Sequence, residues 1–267
     1  AISAVAKAYI ATGEPRYLKA AEKTAERLWT LHRQKDGTLF RASNDGVPTE
    51  AGILDDYAFL AVGLIDLFEA NGKAVYLERA REVVTKADDL FKRPKNGWFQ
   101  TPAGDASLLY RQFEPYDSVL PSGNSQMLEA HLRLAGITGL ASHHDTVTLT
   151  LASFTETLTK SGLSMGGWAS VALRQLGPFY EVIIAGEGEA TRPLQDVWRK
   201  IKPSWAIRVN VPPTGPSEVM NRTAPATRGK KAGKKGATAY VCVRGSCMKP
   251  TSDPALFRLQ LLEGWRY

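Results

Sequence analysis

The chain repeats itself, and that repeat constrains the fold more than any other feature. ATGEPRYLKAAEKTAERLWTLHRQKDGTLFR (11–41) aligns with ANGKAVYLERAREVVTKADDLFKRPKNGWFQ (70–100). Thr12-Gly13 matches Asn71-Gly72, Tyr17-Leu18 matches Tyr76-Leu77, and Asp36-Gly37 matches Asn96-Gly97. A weaker third copy begins at Thr138-Gly139. Each copy reads as an apolar helix ending at a glycine cap, then a charged amphipathic helix whose buried stripe opens with its Tyr-Leu pair. A small hairpin turning at D-G or N-G comes next, and another apolar helix follows it.

This pattern predicts helices near 1–12, 15–33, 53–70, 74–92, 121–138, 142–160 and 165–176. Alternation of apolar and charged helices at a period of roughly sixty residues places the apolar ones in an inner ring and the charged ones outside it. The expected fold is therefore mainly α, an incomplete (α/α) toroid of the six-hairpin type. A solenoid is the alternative, with shorter repeats. Ile2 opens an amphipathic helix with no initiator Met and no cap before it, which leads us to expect the C-terminal part of a longer protein.

Composition shifts after Gly177-Pro178, dividing the chain into hairpins over 1–177 and a small α/β subdomain over 178–267. YEVIIAG, WAIRVNV and ATAYVCV read as strands, with TRPLQDVWRKI as a helix between the first two. That order implies a parallel pair. PALFRLQLLE is a closing helix with Asp253 as its cap and Pro254 in its first turn. Residues 212–236, rich in Gly, Ala and Pro, are expected to be a disordered basic loop.

The net charge of +7 invites a nucleic-acid reading. The excess is concentrated in Arg228, Lys230, Lys231, Lys234 and Lys235, where no aromatic residue is interleaved to stack on bases, so nucleic-acid binding is not expected. No apolar run reaches the length of about 18 residues needed to span a bilayer, so no membrane partner is expected, and the protein reads as cytoplasmic. Cys242 and Cys247 are the only cysteines. Their spacing lacks the second ligand pair of a zinc site, so no metal is expected; reduced thiols at a strand end and a local disulfide both remain open. Nucleotide-binding and hydrolase signatures are absent, and no cofactor is implied.

Chemistry is expected where loops lead into inner helices, at one mouth of the toroid. RASNDGVPTEAGILDDYAF supplies Arg41, Asp55, Asp56 and Tyr57, and YRQFEPYDSVLPSGNSQ supplies Arg111, Glu114, Tyr116, Asp117, Ser122 and Asn124. These loops occupy corresponding places in successive repeats and should lie side by side. Paired carboxylates across a concave site suit glycoside chemistry, with Asp55 or Asp56 and Asp117 as acid and base. Asp55, Asp56 and Ser122 read equally well as helix caps. His32 and His131 read as packed helical residues, and His143 and His144 as surface ones.

LDDYAF, R-x-x-E-x-x-D-x-x-x-PSGNS and AYVC-x4-C-x-x-P-x-x-DP, in this order, resemble the C-terminal half of the spermatogenesis-associated protein 20-like family, often labelled thioredoxin domain-containing proteins. The resemblance covers essentially the whole chain. It implies a toroid of the six-hairpin glycosidase class preceded, in full-length members, by a thioredoxin-like domain. It also implies that Asp55, Asp56, Tyr57, Arg111, Glu114, Asp117, Ser122, Gly123 and Asn124 share a cavity region. Departures are Asp117-Ser118-Val119, where family members show D-G-A, and the basic stretch before ATAYVC.

The functional expectation is a carbohydrate-directed hydrolase or isomerase with a carbohydrate ligand. A non-catalytic binding module is one alternative. The other is a redox-linked protein whose Cys242 and Cys247 work with the thioredoxin-like domain.

Overall fold

A computed structural model of the chain describes residues 1–104, 108–177, 179–201, 203, 206–243 and 246–263. Pro178, at the expected boundary, and Trp205, at the start of the expected second strand, lie outside the described residues. The helical part runs α1 (Ile2–Thr12), α2 (Pro15–His32), β1 (Phe40–Asn44), β2 (Val47–Ala51), α3 (Leu54–Asn71), α4 (Ala74–Phe91), α5 (Gly123–Thr138), α6 (Ala141–Ser153), α7 (Thr155–Lys160) and α8 (Gly166–Leu176).

Helices α1, α3, α5 and α8 pack in succession as an inner layer, with α2, α4 and α6 outside them. The burial of each helix explains its place. Twelve of the eighteen residues of α3 are buried, because neighbours cover it on nearly every side. By contrast, α2 fully buries only Ala21 and Ala25, lays Leu18, Leu28 and Trp29 partly against the core, and turns its charged face outward. The first three inner helices end at left-handed glycines, Gly13, Gly72 and Gly139. At Gly72 the contact is also tight, since a Cβ there would lie 2.3 Å from the carbonyl oxygen of Asn210.

Both repeat turns close as single-bridge hairpins, Arg33 opposite Leu39 and Lys92 opposite Trp98. The first repeat adds a longer hairpin that the periodicity did not indicate. β1 and β2 pair antiparallel around Asp45 and Gly46, at φ 48° and 81°. Two successive positive φ values favour Asp-Gly, so the signal was present in Asn44-Asp45-Gly46.

The C-terminal part runs β3 (Tyr180–Gly186), α9 (Arg192–Ile201), β4 (Ala206–Val211), α10 (Glu218–Thr223), β5 (Ala237–Val243), β6 (Ser246–Cys247) and α11 (Pro254–Glu263). The strand order is β4-β3-β5-β6. β3 and β4 pair parallel across the α9 crossover, and β5 and β6 are added antiparallel. β4 seals the end of α3: Arg208 Nη2 and Asn210 Nδ2 donate to the carbonyl oxygen of Glu69, and Asn210 also donates to that of Ala70. A helix end buried against a sheet needs such donors for its last carbonyls.

Residues 212–236, expected to be disordered, carry α10 and a 3-10 turn at Pro225–Thr227. Ser217 caps α10, and Met220, Thr223, Ala224 and Thr227 are buried. The lysines drew attention away from these anchors, which bury enough surface to fix the segment ahead of the exposed 231–236 run.

Candidate functional site

Ala1 just ahead of α1, Ser3 of α1, Asp55 and Asp56 of α3, and Leu120 just ahead of α5 line one cleft of about 410 Å³. His32, at the end of α2, and Leu39 and Phe40, in the following hairpin, form its other wall. The acidic first turn of α3 thus opens into a concave space at the positive end of its helix.

The two carboxylates differ. Asp56 Oδ2 accepts from the Ile53 amide at 2.9 Å, so Asp56 caps its own helix. Burial raises its pKa above the ordinary aspartate value, against the opposing pull of the Ile53 amide and Arg41. Asp55 accepts no hydrogen bond among the described residues. Its Oδ1 lies against Gly123, where a Cβ would stand 2.4 Å away, which sets it beside the first turn of α5. The cleft therefore joins one carboxyl that burial pushes toward its neutral form and a second carboxyl set beside the first turn of α5.

The other expected site residues are placed as follows. Arg41 is exposed on β1 and reaches Asp56 only through its charge. Tyr57 is buried, and its hydroxyl accepts from the Leu39 amide at 2.7 Å, tying α3 to the first repeat turn. Arg111 spends its guanidinium on the carbonyls of Leu90 and Thr101 and covers the Phe99 ring. Glu114 and Tyr116 are exposed, and the Tyr116 amide donates to Glu114 Oε1.

Asp117 lies at the same end of the bundle but is not among the side chains that line the cleft. Its Oδ1 accepts from the Ser122 amide at 2.7 Å and the Ser125 hydroxyl at 2.9 Å, and its Oδ2 accepts from the Gly167 amide at 2.7 Å. Asp117 thus staples the N-terminus of α5 to that of α8. Ser122 caps α5 through the Ser125 amide. Asn124 is fully buried and bridges Trp98 and the Glu114 carbonyl. Cys242 and Cys247 are cross-strand partners on β5 and β6 and form a disulfide, with Lys230 Nζ 3.2 Å from Cys247 Sγ.

Two histidines depart from the sequence reading, and one charged hollow was not anticipated by it. His32 faces the cleft instead of packing in a core. His143 is half-buried, 2.9 Å from His131 Nδ1, and burial together with His131 pushes it down to about 4. Deeper along the inner layer, Lys7, Asp66, Glu69, Glu129, Arg133 and Arg174 line a hollow of about 260 Å³. Arg133 is buried and pairs with Asp66 at 2.9 Å and with Glu69. Burial raises Glu69 despite Arg133, whereas at Asp66 Arg133 and Lys7 overcome burial and lower it. The available signal was a set of charges at helical spacing inside otherwise apolar helices.

No family model matches the chain. Human spermatogenesis-associated protein 20 is 30% identical over 211 residues, which is 78% of this chain. The chain is a spermatogenesis-associated protein 20-like sequence. It spans 27% of the length of that human relative. An uncharacterized protein of Caenorhabditis elegans is 26% identical over 259 residues, 94% of this chain and 35% of its own.

Among solved structures, a glycoside hydrolase family 76 mannosidase from Bacteroides thetaiotaomicron covers 100% of this chain, and the chain covers 70% of that structure. The TM-score is 0.50 at 15% identity, and the shared fold is the six-hairpin glycosidase toroid. Among the described residues, no helix is long and apolar enough to cross a membrane.

Proposed function

We propose that the cleft at the N-terminal ends of α1 and α3 binds a carbohydrate and that Asp55 and Asp56 supply its acid–base chemistry. The observation that carries this reading is the pair of unlike carboxyls in one concave space. Asp56, raised by burial, is suited to give a proton, while Asp55, which accepts no hydrogen bond among the described residues, is suited to accept one or to oppose positive charge. Ser3 and His32 offer polar contacts to hydroxyls, and Phe59 and Leu120 offer apolar surface to a sugar face. The mannosidase likeness supports a scaffold able to carry such a site, not the activity itself.

Asp117 has a smaller part in this proposal than the sequence suggested. Its three hydrogen bonds hold the rim, and we assign it to positioning. Calorimetric titration with mannose, glucose, N-acetylglucosamine and mannobiose tests the proposal. Binding by the parent chain should weaken at least tenfold in Asp55→Asn and Asp56→Asn. Unchanged binding in both variants, or none in the parent, removes it.

Two further readings rest on specific observations. The commitment of Asp117, Ser122 and Asn124 to structural hydrogen bonds favours a non-catalytic binding module. The Cys242–Cys247 disulfide, with Cys247 exposed beside Lys230, favours a redox link to a thioredoxin-like domain of a longer chain.

A further inference from the structure

The cleft holds a third ionisable group, which a simple pair of carboxyls leaves idle. His32 ends α2 with its ring in the cleft wall, beside Asp55 and Asp56. Its Nδ1 lies 3.0 Å from the carbonyl oxygen of Phe40. A carbonyl only accepts, so the neutral ring carries its proton on Nδ1 and keeps a lone pair on Nε2. Nε2 has no hydrogen-bond partner among the described residues. The hairpin thus fixes both the tautomer and the ring orientation and leaves an imidazole lone pair in a mostly apolar cleft that also holds Asp55 and Asp56. Asp56 is near enough for its ionisation to respond to His32.

Hydrolysis of a glycosidic bond is served by two carboxyls and leaves no task for an imidazole. Proton transfer next to a carbonyl needs a base at carbon and an acid at oxygen, held on one substrate. The cleft provides both, on α2 and α3, and its volume of about 410 Å³ falls within the ordinary range of small-molecule sites.

Resting on the carbohydrate reading above, we infer that His32 is the base and Asp56 the acid of a keto–enol proton transfer on the open-chain form of a reducing sugar. His32 Nε2 takes the proton from the carbon adjacent to the carbonyl as that C–H bond breaks. The carbonyl oxygen takes the Asp56 proton, giving a neutral enediol, a protonated imidazole and an ionised Asp56. Return of the imidazole proton to the former carbonyl carbon, with return of the proton of the neighbouring hydroxyl to Asp56, moves the carbonyl to the adjacent carbon, gives the isomerised sugar and restores both groups. No oxidant, reductant or cofactor is consumed. Asp55, which lines the same cleft, offsets its charge.

The test is solvent exchange. The intact 267-residue chain is incubated in D2O with glucose, mannose, fructose and N-acetylglucosamine, and the carbon-bound protons next to the carbonyl are followed by NMR. At least one of these sugars should exchange at that position. His32→Gln, whose amide can still donate to the Phe40 carbonyl, should slow the exchange by about 100-fold or more, with its melting temperature unchanged. Calorimetry on the same samples separates the two proposals. Binding without exchange, exchange untouched by His32→Gln, or release of mannose from mannobiose without exchange would each overturn the inference and leave the carbohydrate reading in place. Absence of both binding and exchange removes both.

Discussion

Asn124 sits in the first turn of α5 with no exposed surface, taking the Trp98 amide on its oxygen and donating to the carbonyls of Trp98 and Glu114. Within PSGNS it reads as a polar residue at a rim, and the motif alone cannot separate a ligand contact from a bond to a loop that is far away in sequence. The same holds for Asp117, whose three partners lie on two helices. Asp55 and Asp56 were legible as a pair, because adjacent carboxylates at a helix start serve capping and chemistry alike. His32 was not legible, since its role depends on Phe40 fixing its ring.

The raised pKa of Asp56 has a consequence for stability. A carboxyl harder to ionise in the folded chain than in the unfolded one favours unfolding as pH rises, beginning near the ordinary aspartate value and ending above its folded value. Asp56→Asn, which keeps an acceptor for the Ile53 amide, should therefore melt higher than the parent near pH 7, and the gap should close as pH falls below about 4. Thermal melts across that range check it, and a parent that melts higher at neutral pH contradicts the cause assigned to the shift.

At the scale of elements, the hairpin repeat fixed most helix positions through its glycine caps and Tyr-Leu stripes. The repeat does not carry the β1–β2 hairpin, because this hairpin belongs to one copy only. Helix α10 was missed because lysines and glycines beyond it dominate the composition, although Ser217, Met220 and Ala224 mark a capped, anchored turn.

The α3–α5 junction is where element packing and the candidate site meet. A Cβ at Gly123 would lie 2.4 Å from Asp55 Oδ1 and 3.0 Å from Leu54. Gly123→Ala should lose about 2 kcal/mol by overpacking, about 5 °C in melting temperature for a chain of this size. Combining it with Asp55→Ala should return part of the loss, because the second change removes the nearer of the two obstacles. Additive losses in that double-mutant cycle would mean that the junction is loose and Asp55 is held elsewhere.

Across the whole molecule, the hairpin count and the change of composition near Gly177 were enough to read a toroid with a small α/β cap. How the cap attaches was not readable, because the Arg208 and Asn210 bonds to the end of α3 join residues about 140 positions apart. The charges of the second hollow are unreadable for a similar reason: Lys7, Asp66, Arg133 and Arg174 come from four different helices and look like isolated exceptions until those helices are side by side.

On this reading, ligand chemistry belongs to the end of the bundle where the inner helices begin. An amide-resolved NMR titration of the intact chain with a sugar that binds tests it most directly. Shifts concentrated at His32, Leu39, Asp55, Asp56, Phe59 and Leu120 are the predicted result. Shifts concentrated instead at the opposite end, around Gly136, Leu140 and His144, would contradict the account.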